Sequence, residues 1–174
     1  MNNMAATRNN MRVSRTNHDI VVLGLGNTLL ADDGVGVHVV RQLAADPAGP
    51  SWIRPLDGGT LGFRLLGHLR QADAVLIVDA AELGATPGTI RIFDRDELAQ
   101  HVGRSGRISA HEAGLTDLLS LARLEGFAPK KLALLGIQPQ TIEWGEALSP
   151  ALADAASLAS QLVVSIGLSW LAAS

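Results

Sequence analysis

Apolar and polar positions along the chain follow two periods, one typical of buried strands and one typical of helices. Short runs of consecutive apolar residues, as found in strands buried on both faces, cover 21–23, 74–78 and 132–137. A weaker strand is predicted over 52–56. Residues 89–93 alternate in character, which predicts a half-exposed strand at an edge of the sheet.

The segments between these strands carry apolar residues at helical spacing. They predict helices over 33–45, 61–69 and 94–100. A further helix is predicted to open at Ser109, which is followed three residues later by Glu112 in the pattern of a capping box. Because strands alternate with helices, the sequence predicts an α/β fold with a mostly parallel sheet.

The last helix is predicted to begin at Ser149 and Pro150, a serine cap followed by a proline in the first turn. Residues 155–173 carry no charge and are long enough to span a bilayer. Small polar residues recur on one side of this segment, whereas large apolar residues, Leu158 among them, recur on another. We therefore expect an amphipathic helix packed on the sheet, and no membrane partner.

Aspartates stand at or after the ends of three predicted strands. Asp33 follows the first strand, Asp57 the second and Asp79 the third. Because the carboxyl ends of parallel strands meet at one edge of a sheet, we expect these three side chains to lie close together. Asp32 and Asp33 also precede the first helix. One of them is expected to cap it, which leaves the other carboxylate without a structural role.

His111 falls in the first turn of the helix that Ser109 is predicted to open. The helix dipole disfavours a protonated ring there, which predicts a neutral imidazole able to bind a metal or accept a proton. The alternative is a solvent-facing histidine at a helix start. Two carboxylates and an imidazole form a ligand set suited to nickel or zinc, and the same groups without a metal support acid–base hydrolysis.

Gly24 and Gly26 suggest a different kind of site. A strand followed by Gly-x-Gly resembles the start of a dinucleotide-binding motif, in which Asp57 would contact the ribose. The match is partial, because Leu29 stands where the third glycine belongs and the adjacent acids would repel a pyrophosphate. A dinucleotide site is therefore the weaker alternative.

Composition narrows the function classes further. With 174 residues, 47% of them hydrophobic, the chain is long enough to bury one core as one domain. A net charge of −3 without a basic segment argues against nucleic acid as a partner. The absence of cysteine excludes disulfides and thiolate metal sites, and it fits a cytoplasmic protein. Residues 1–19 lack the apolar core of a secretory signal and are predicted to be a disordered extension before a domain at 20–174.

Six short blocks occur in a fixed order: GLGNTLLADDGVG over 24–36, LDGGT over 56–60, VDA over 78–80, PGT over 87–89, SAH over 109–111 and GEALSP over 145–150. Together they resemble the successive motifs of the [NiFe]-hydrogenase maturation endopeptidases. The resemblance covers about residues 20–150 and continues into the last helix. The extension at 1–19 departs from the family, whose members usually begin at the first strand.

The resemblance implies a single three-layer α/β domain, with a twisted, mostly parallel sheet of about five strands and helices on both faces. It implies an endopeptidase that removes the C-terminal extension of a [NiFe]-hydrogenase large-subunit precursor after nickel insertion. The family's metal-binding positions fall on Asp33, Asp79 and His111, which would recognise nickel supplied by the substrate, with none expected in the resting enzyme. Asp57 is a further candidate for a supporting or catalytic acid. A monomer is expected.

Two other functions stay open. A peptidase similar to the germination proteases would share the fold. A metal-sensing or chaperone module for hydrogenase assembly would use the same three side chains without cleaving a peptide bond.

Overall fold

The computed structural model describes residues 20–60, 65–70, 72–101, 110–127 and 129–173. In chain order these form β1 (Ile20–Leu25), a 3-10 helix (Ala31–Gly34), α1 (Val35–Ala45), β2 (Ile53–Gly59), α2 (Leu66–Leu69), β3 (Ala74–Ala80), β4 (Ile90–Asp94), α3 (Arg95–His101), α4 (Glu112–Leu124), β5 (Lys131–Ile137) and α5 (Pro150–Ala172). The predicted extension at 1–19 lies outside the described residues.

The five strands form one sheet in the order β2-β1-β3-β5-β4. Strands β1, β2, β3 and β5 are parallel, and β4 pairs antiparallel with β5 at the edge. This confirms the prediction of a mostly parallel five-stranded sheet. It also confirms the edge strand that was expected from the alternating pattern at 89–93.

Helices cover both faces of the sheet. Successive strand residues point to opposite sides, so each central strand contributes side chains to two cores. On one face Val22, Leu76 and Val78 join a core with α1 and α5. On the other face Leu23 and Ile77 join a core with α2 and α4. The fold is thus a three-layer α/β domain, as expected.

Helix α5 covers its face of the sheet mainly with small residues. Ser149 caps it as predicted, since its Oγ accepts a hydrogen bond from the Leu152 amide. The buried side of the helix comprises Leu152, Ala155, Ala156, Ala159, Val163 and Gly167. The expectation that Leu158 belongs to the packed side is wrong, because Leu158 is 50% exposed. By length and composition α5 is also able to cross a membrane, but its buried side packs in the core.

The other helices follow the sequence pattern with shifted ends. The described part of the segment at 61–69 is the short helix α2, and residues 61–64 lie outside the described residues. His111 occupies the N-cap position of α4, one residue before the helix, rather than its first turn. Ser109, the predicted cap, falls in a part of the chain that the structure does not describe.

Candidate functional site

Asp33, Asp79 and His111 converge at the carboxyl edge of the parallel strands. Asp79 lies near the end of β3, Asp33 lies in the 3-10 helix that follows β1, and His111 directly precedes α4. Their side chains are only 6%, 2% and 8% exposed, respectively. Three ionisable groups from different parts of the chain are therefore buried together, which marks a candidate functional site.

His111 lies between the two carboxylates. Its Nδ1 atom donates to Asp79, at 3.1 Å from Oδ1 and 3.3 Å from Oδ2. Its Nε2 atom faces Oδ2 of Asp33 at 3.8 Å. The hydrogen bond to Asp79 and the negative charges of Asp79 and Asp33 raise the pKa of His111, although burial acts in the opposite direction. This direction is opposite to the one expected from the helix dipole alone.

The three side chains contact one another in series, Asp79 to His111 to Asp33, and do not converge on one central point. Asp79 is engaged by Nδ1, which leaves Nε2 and the Asp33 carboxylate as the two groups that face each other. Consistent with this, no three His, Asp or Glu side chains within the described residues are spaced to hold an ion between them. The geometry is that of an imidazole oriented by one carboxylate and presented to a second one.

Close backbone packing fixes the position of Asp33. Gly26 has a φ of +128°, and a Cβ there would lie 1.9 Å from the Asp33 carbonyl oxygen. A Cβ on Gly36 would lie 2.1 Å from the carbonyl oxygen of Val78, next to Asp79 in β3. The Asn27 amide also donates to Oδ2 of Asp33 at 2.8 Å. The glycines therefore seat the start of α1 on the strand ends, which explains them without a bound pyrophosphate.

A model of the HycI hydrogenase maturation protease family matches residues 37–166. This chain belongs to the hydrogenase maturation protease family. The match spans most of the chain and includes the strand that carries Asp79 as well as His111 itself. The dinucleotide-binding alternative is thereby set aside.

Relatives and solved structures of the family agree with this assignment. The hydrogenase expression/formation protein HoxM of Azotobacter vinelandii is 41% identical over 72% of this chain and 60% of its own length. The hydrogenase 2 maturation protease of Escherichia coli K12 is 39% identical over 75% of this chain and 79% of its own. The hydrogenase maturating endopeptidase HybD from E. coli superposes with a TM-score of 0.75 at 36% identity, covering 84% of this chain and 90% of that one. The matched part of the chain thus spans only about 60% of the length of some relatives, including HoxM.

Asp32 has a structural role that the sequence did not reveal. It is fully buried and accepts hydrogen bonds from the amides of Gln140, Thr141 and Ser149 and from the Ser149 hydroxyl, at 2.7–3.1 Å. Neither Asp32 nor Asp33 makes a side-chain cap on the 3-10 helix or α1, so the expectation of a capping acid is wrong. The two acids diverge, one toward the loop at 138–149 and one toward His111.

Asp57 does not join the cluster, contrary to the expectation of three gathered acids. It pairs in register with Gly24, as Val78 does, and therefore points to the face of α1, whereas Asp79 points to the face of α4. Its carboxylate contacts Arg41 at 3.1 Å and accepts from the Gly59 amide at 3.0 Å. Its side chain is 44% exposed. Asp57 is thus a surface residue on the far side of the sheet.

Gln138 is a second buried polar residue, and no pattern in the sequence singled it out. Its Oε1 atom accepts hydrogen bonds from the amides of Leu83 and Ala85, at 2.7 and 3.3 Å. The loop that follows Asp79 is therefore tied to the end of β5. Together, Gln138 and Asp32 order the loops on either side of the site.

Proposed function

We propose that this chain is an endopeptidase that removes the C-terminal extension of a [NiFe]-hydrogenase large-subunit precursor once nickel has been inserted. The observation that carries the proposal is the buried contact of His111 with Asp79 and Asp33, in a chain that belongs to a protease family. The names of its relatives, which include a hydrogenase 2 maturation protease and a maturating endopeptidase, support the same activity.

Nickel enters this proposal as part of the substrate. The Nε2 atom of His111 and Oδ2 of Asp33 are 3.8 Å apart, which leaves room for an ion bound to both at about 2.1 Å. Asp79 orients the ring through Nδ1, as carboxylates commonly do for metal-binding histidines. Asp79 joins the ligand set only if it releases Nδ1. A metal binds Nε2 only in its unprotonated form, and the two acids, which raise the pKa of His111, oppose the loss of a proton from the ring.

The same groups serve the hydrolytic step. Two carboxylates and an imidazole provide a proton acceptor and a proton donor for a water molecule that attacks the peptide bond. Recognition and hydrolysis would then share one buried site. Cleavage would be tied to nickel because only the loaded substrate offers the ion to that site.

The decisive experiment is the processing of purified large-subunit precursor, with and without nickel, followed by mass spectrometry. We expect the wild type to shorten only the nickel-loaded precursor and His111→Ala to leave it uncut. His68→Ala is the matched control, because His68 is an exposed histidine of α2. Nickel-dependent binding without a shortened product would instead identify a metal-sensing module.

The setting of the reaction is part of the proposal. A chain without cysteine is suited to the reducing cytoplasm, where the precursor would be met before assembly. We propose that the protein acts there as a monomer, without nucleic acid or membrane. Size-exclusion chromatography with light scattering tests the monomer.

A further inference from the structure

Three large apolar side chains are exposed on two loops joined to the site. Trp144 is 85% exposed, Ile142 52% and Leu29 48%. The loops that carry them are joined, since the Gly145 amide donates to the Leu29 carbonyl at 3.0 Å and the Ala31 amide donates back to Gly145. We call Leu29, Ile142 and Trp144 the apolar patch.

The backbone under the apolar patch is fixed. Buried Asp32 binds the amides of Gln140 and Thr141 on one side of Trp144 and that of Ser149 on the other. The loop has no helix or strand of its own, so these bonds hold it in place. Because Asp32 directly precedes Asp33, the patch is anchored to the same short 3-10 helix that supplies an acid to the site.

Acidic side chains border the apolar patch. Glu143 and Glu146 flank Trp144 and are exposed. Within the described part of the chain, neither carboxylate makes a hydrogen bond or an ion pair. An exposed tryptophan between unpaired acids leaves a large apolar side chain in contact with water. Exposed aromatic side chains of this kind are common where a protein binds a partner. The charges favour a partner that carries lysine or arginine.

We propose that the apolar patch binds a segment of the protein substrate in which apolar side chains stand next to lysine or arginine. This inference rests on the proposed function. The three side chains of the site, Asp33, Asp79 and His111, are at most 8% exposed. A macromolecular substrate must therefore bind to the surface around them. A patch fixed to the Asp33 segment holds the substrate in register with the buried site.

The first test compares Trp144→Ala and Ile142→Ala with wild type in the processing of nickel-loaded precursor. We expect KM to rise about tenfold in Trp144→Ala, with a smaller change in kcat. Leu124→Ala is the matched control, because Leu124 is 84% exposed but lies at the far end of α4, about 20 Å from His111. An unchanged KM in both patch variants, with wild-type melting temperatures, would overturn the proposal.

The second test addresses the acids. In the double variant Glu143→Gln, Glu146→Gln we expect slower association with the precursor and a weaker dependence of the association rate on salt. A salt dependence equal to that of wild type would remove lysine and arginine from the proposed partner.

Direct binding to the precursor, measured by biolayer interferometry, separates this proposal from the proposed function. If the wild type binds but does not cleave, while Trp144→Ala binds about tenfold more weakly, the patch stands and the peptidase assignment fails. If the wild type cleaves and the patch variants bind equally well, the assignment stands and the patch fails. Loss of self-association in Trp144→Ala, with precursor binding unchanged, would make the occupant a second copy and overturn the proposal.

Discussion

The Nδ1 atom of His111 lies 3.1 Å from Oδ1 of Asp79, although the two residues are 32 positions apart in the sequence. This bond orients the ring so that Nε2 faces Asp33. It is also the largest cause of the raised pKa of His111. Asp79 is thus a positioning residue for the imidazole.

Replacing Asp79 with asparagine should keep the shape of the site and remove a charge. We expect the pKa of His111 to fall and processing to slow by about ten- to a hundredfold. The pKa is read from an NMR titration of the His111 ring, and the rate from precursor cleavage. Asp117→Asn, at an exposed position of α4, is the control. An unchanged pKa would show that Asp79 does not act through the ring.

Asp57→Asn should leave processing within about twofold of wild type. The Asp57 carboxylate is bound to Arg41 at the surface, on the other face of the sheet from Asp79. An exposed ion pair of this kind contributes about 0–1 kcal/mol to stability, so the melting temperature should change little. A strong loss of cleavage in a normally folded variant would return Asp57 to the site.

Asp32→Ala should destabilise the protein severely. The change leaves three amides, in partly buried hydrogen bonds, without their acceptor, and we expect a loss of at least about 3 kcal/mol in the free energy of unfolding, measured with urea. Asp46→Ala is the control, since the Asp46 carboxylate accepts one exposed hydrogen bond, from the Ala48 amide. A loss below about 1 kcal/mol would mean that the loop at 138–149 is held by other contacts.

The environment of His38 predicts that the folded protein loses stability at acidic pH. Burial and the charge of Arg41 lower the pKa of His38 below its ordinary 6.5, and its Nε2 atom is buried without a partner within the described residues. The unfolded chain therefore takes up this proton more readily. The stability that depends on the neutral ring is complete above about pH 6.5 and is lost as the pH falls from there through the lower pKa of the folded protein. The melting temperature of wild type should drop more between about pH 7 and pH 5 than that of His38→Gln.

His111 provides a control of opposite sign for the His38 measurement. Its pKa is raised in the folded protein, so its contribution to stability is complete below about pH 6.5 and is lost as the pH rises through the folded value. His111→Gln should flatten the alkaline side of the stability profile, whereas His38→Gln should flatten the acidic side. Equal slopes for wild type and His38→Gln would contradict the assigned burial of the neutral ring.

The strands could be predicted because burial on both faces leaves a local mark in the sequence. The apolar run at 74–78 predicted most of β3 and so placed Asp79 at the sheet edge. Asp33 and His111 were singled out by their places after a strand and at a helix start, the family resemblance grouped them with Asp79, and the structure brings both to Asp79. Which of Asp32 and Asp33 faces the site was not readable, because the partners of Asp32 lie 108 to 117 residues away.

Two errors have the same origin, a local signal overruled by distant neighbours. The helix dipole at His111 is worth about 0.3–1 kcal/mol, whereas a hydrogen bond to a charged group contributes about 1.5–3 kcal/mol. The bond to Asp79 therefore outweighs the dipole in setting the direction of the pKa shift of His111. Asp57 was misplaced because its face of the sheet depends on its register with β1, and a strand-end pattern does not encode register.

The contact of Gly36 with the Val78 carbonyl has a consequence for engineering the site. The backbone of Gly36 packs directly against the backbone of Val78. This contact sets the spacing between the segments that carry Asp33 and Asp79 without a side chain between them. The substitution Asp33→Glu moves this carboxylate by one methylene group and leaves the backbone in place. The distance between this carboxylate and His111 can therefore be changed by substitution at position 33 without altering the backbone that carries Asp79.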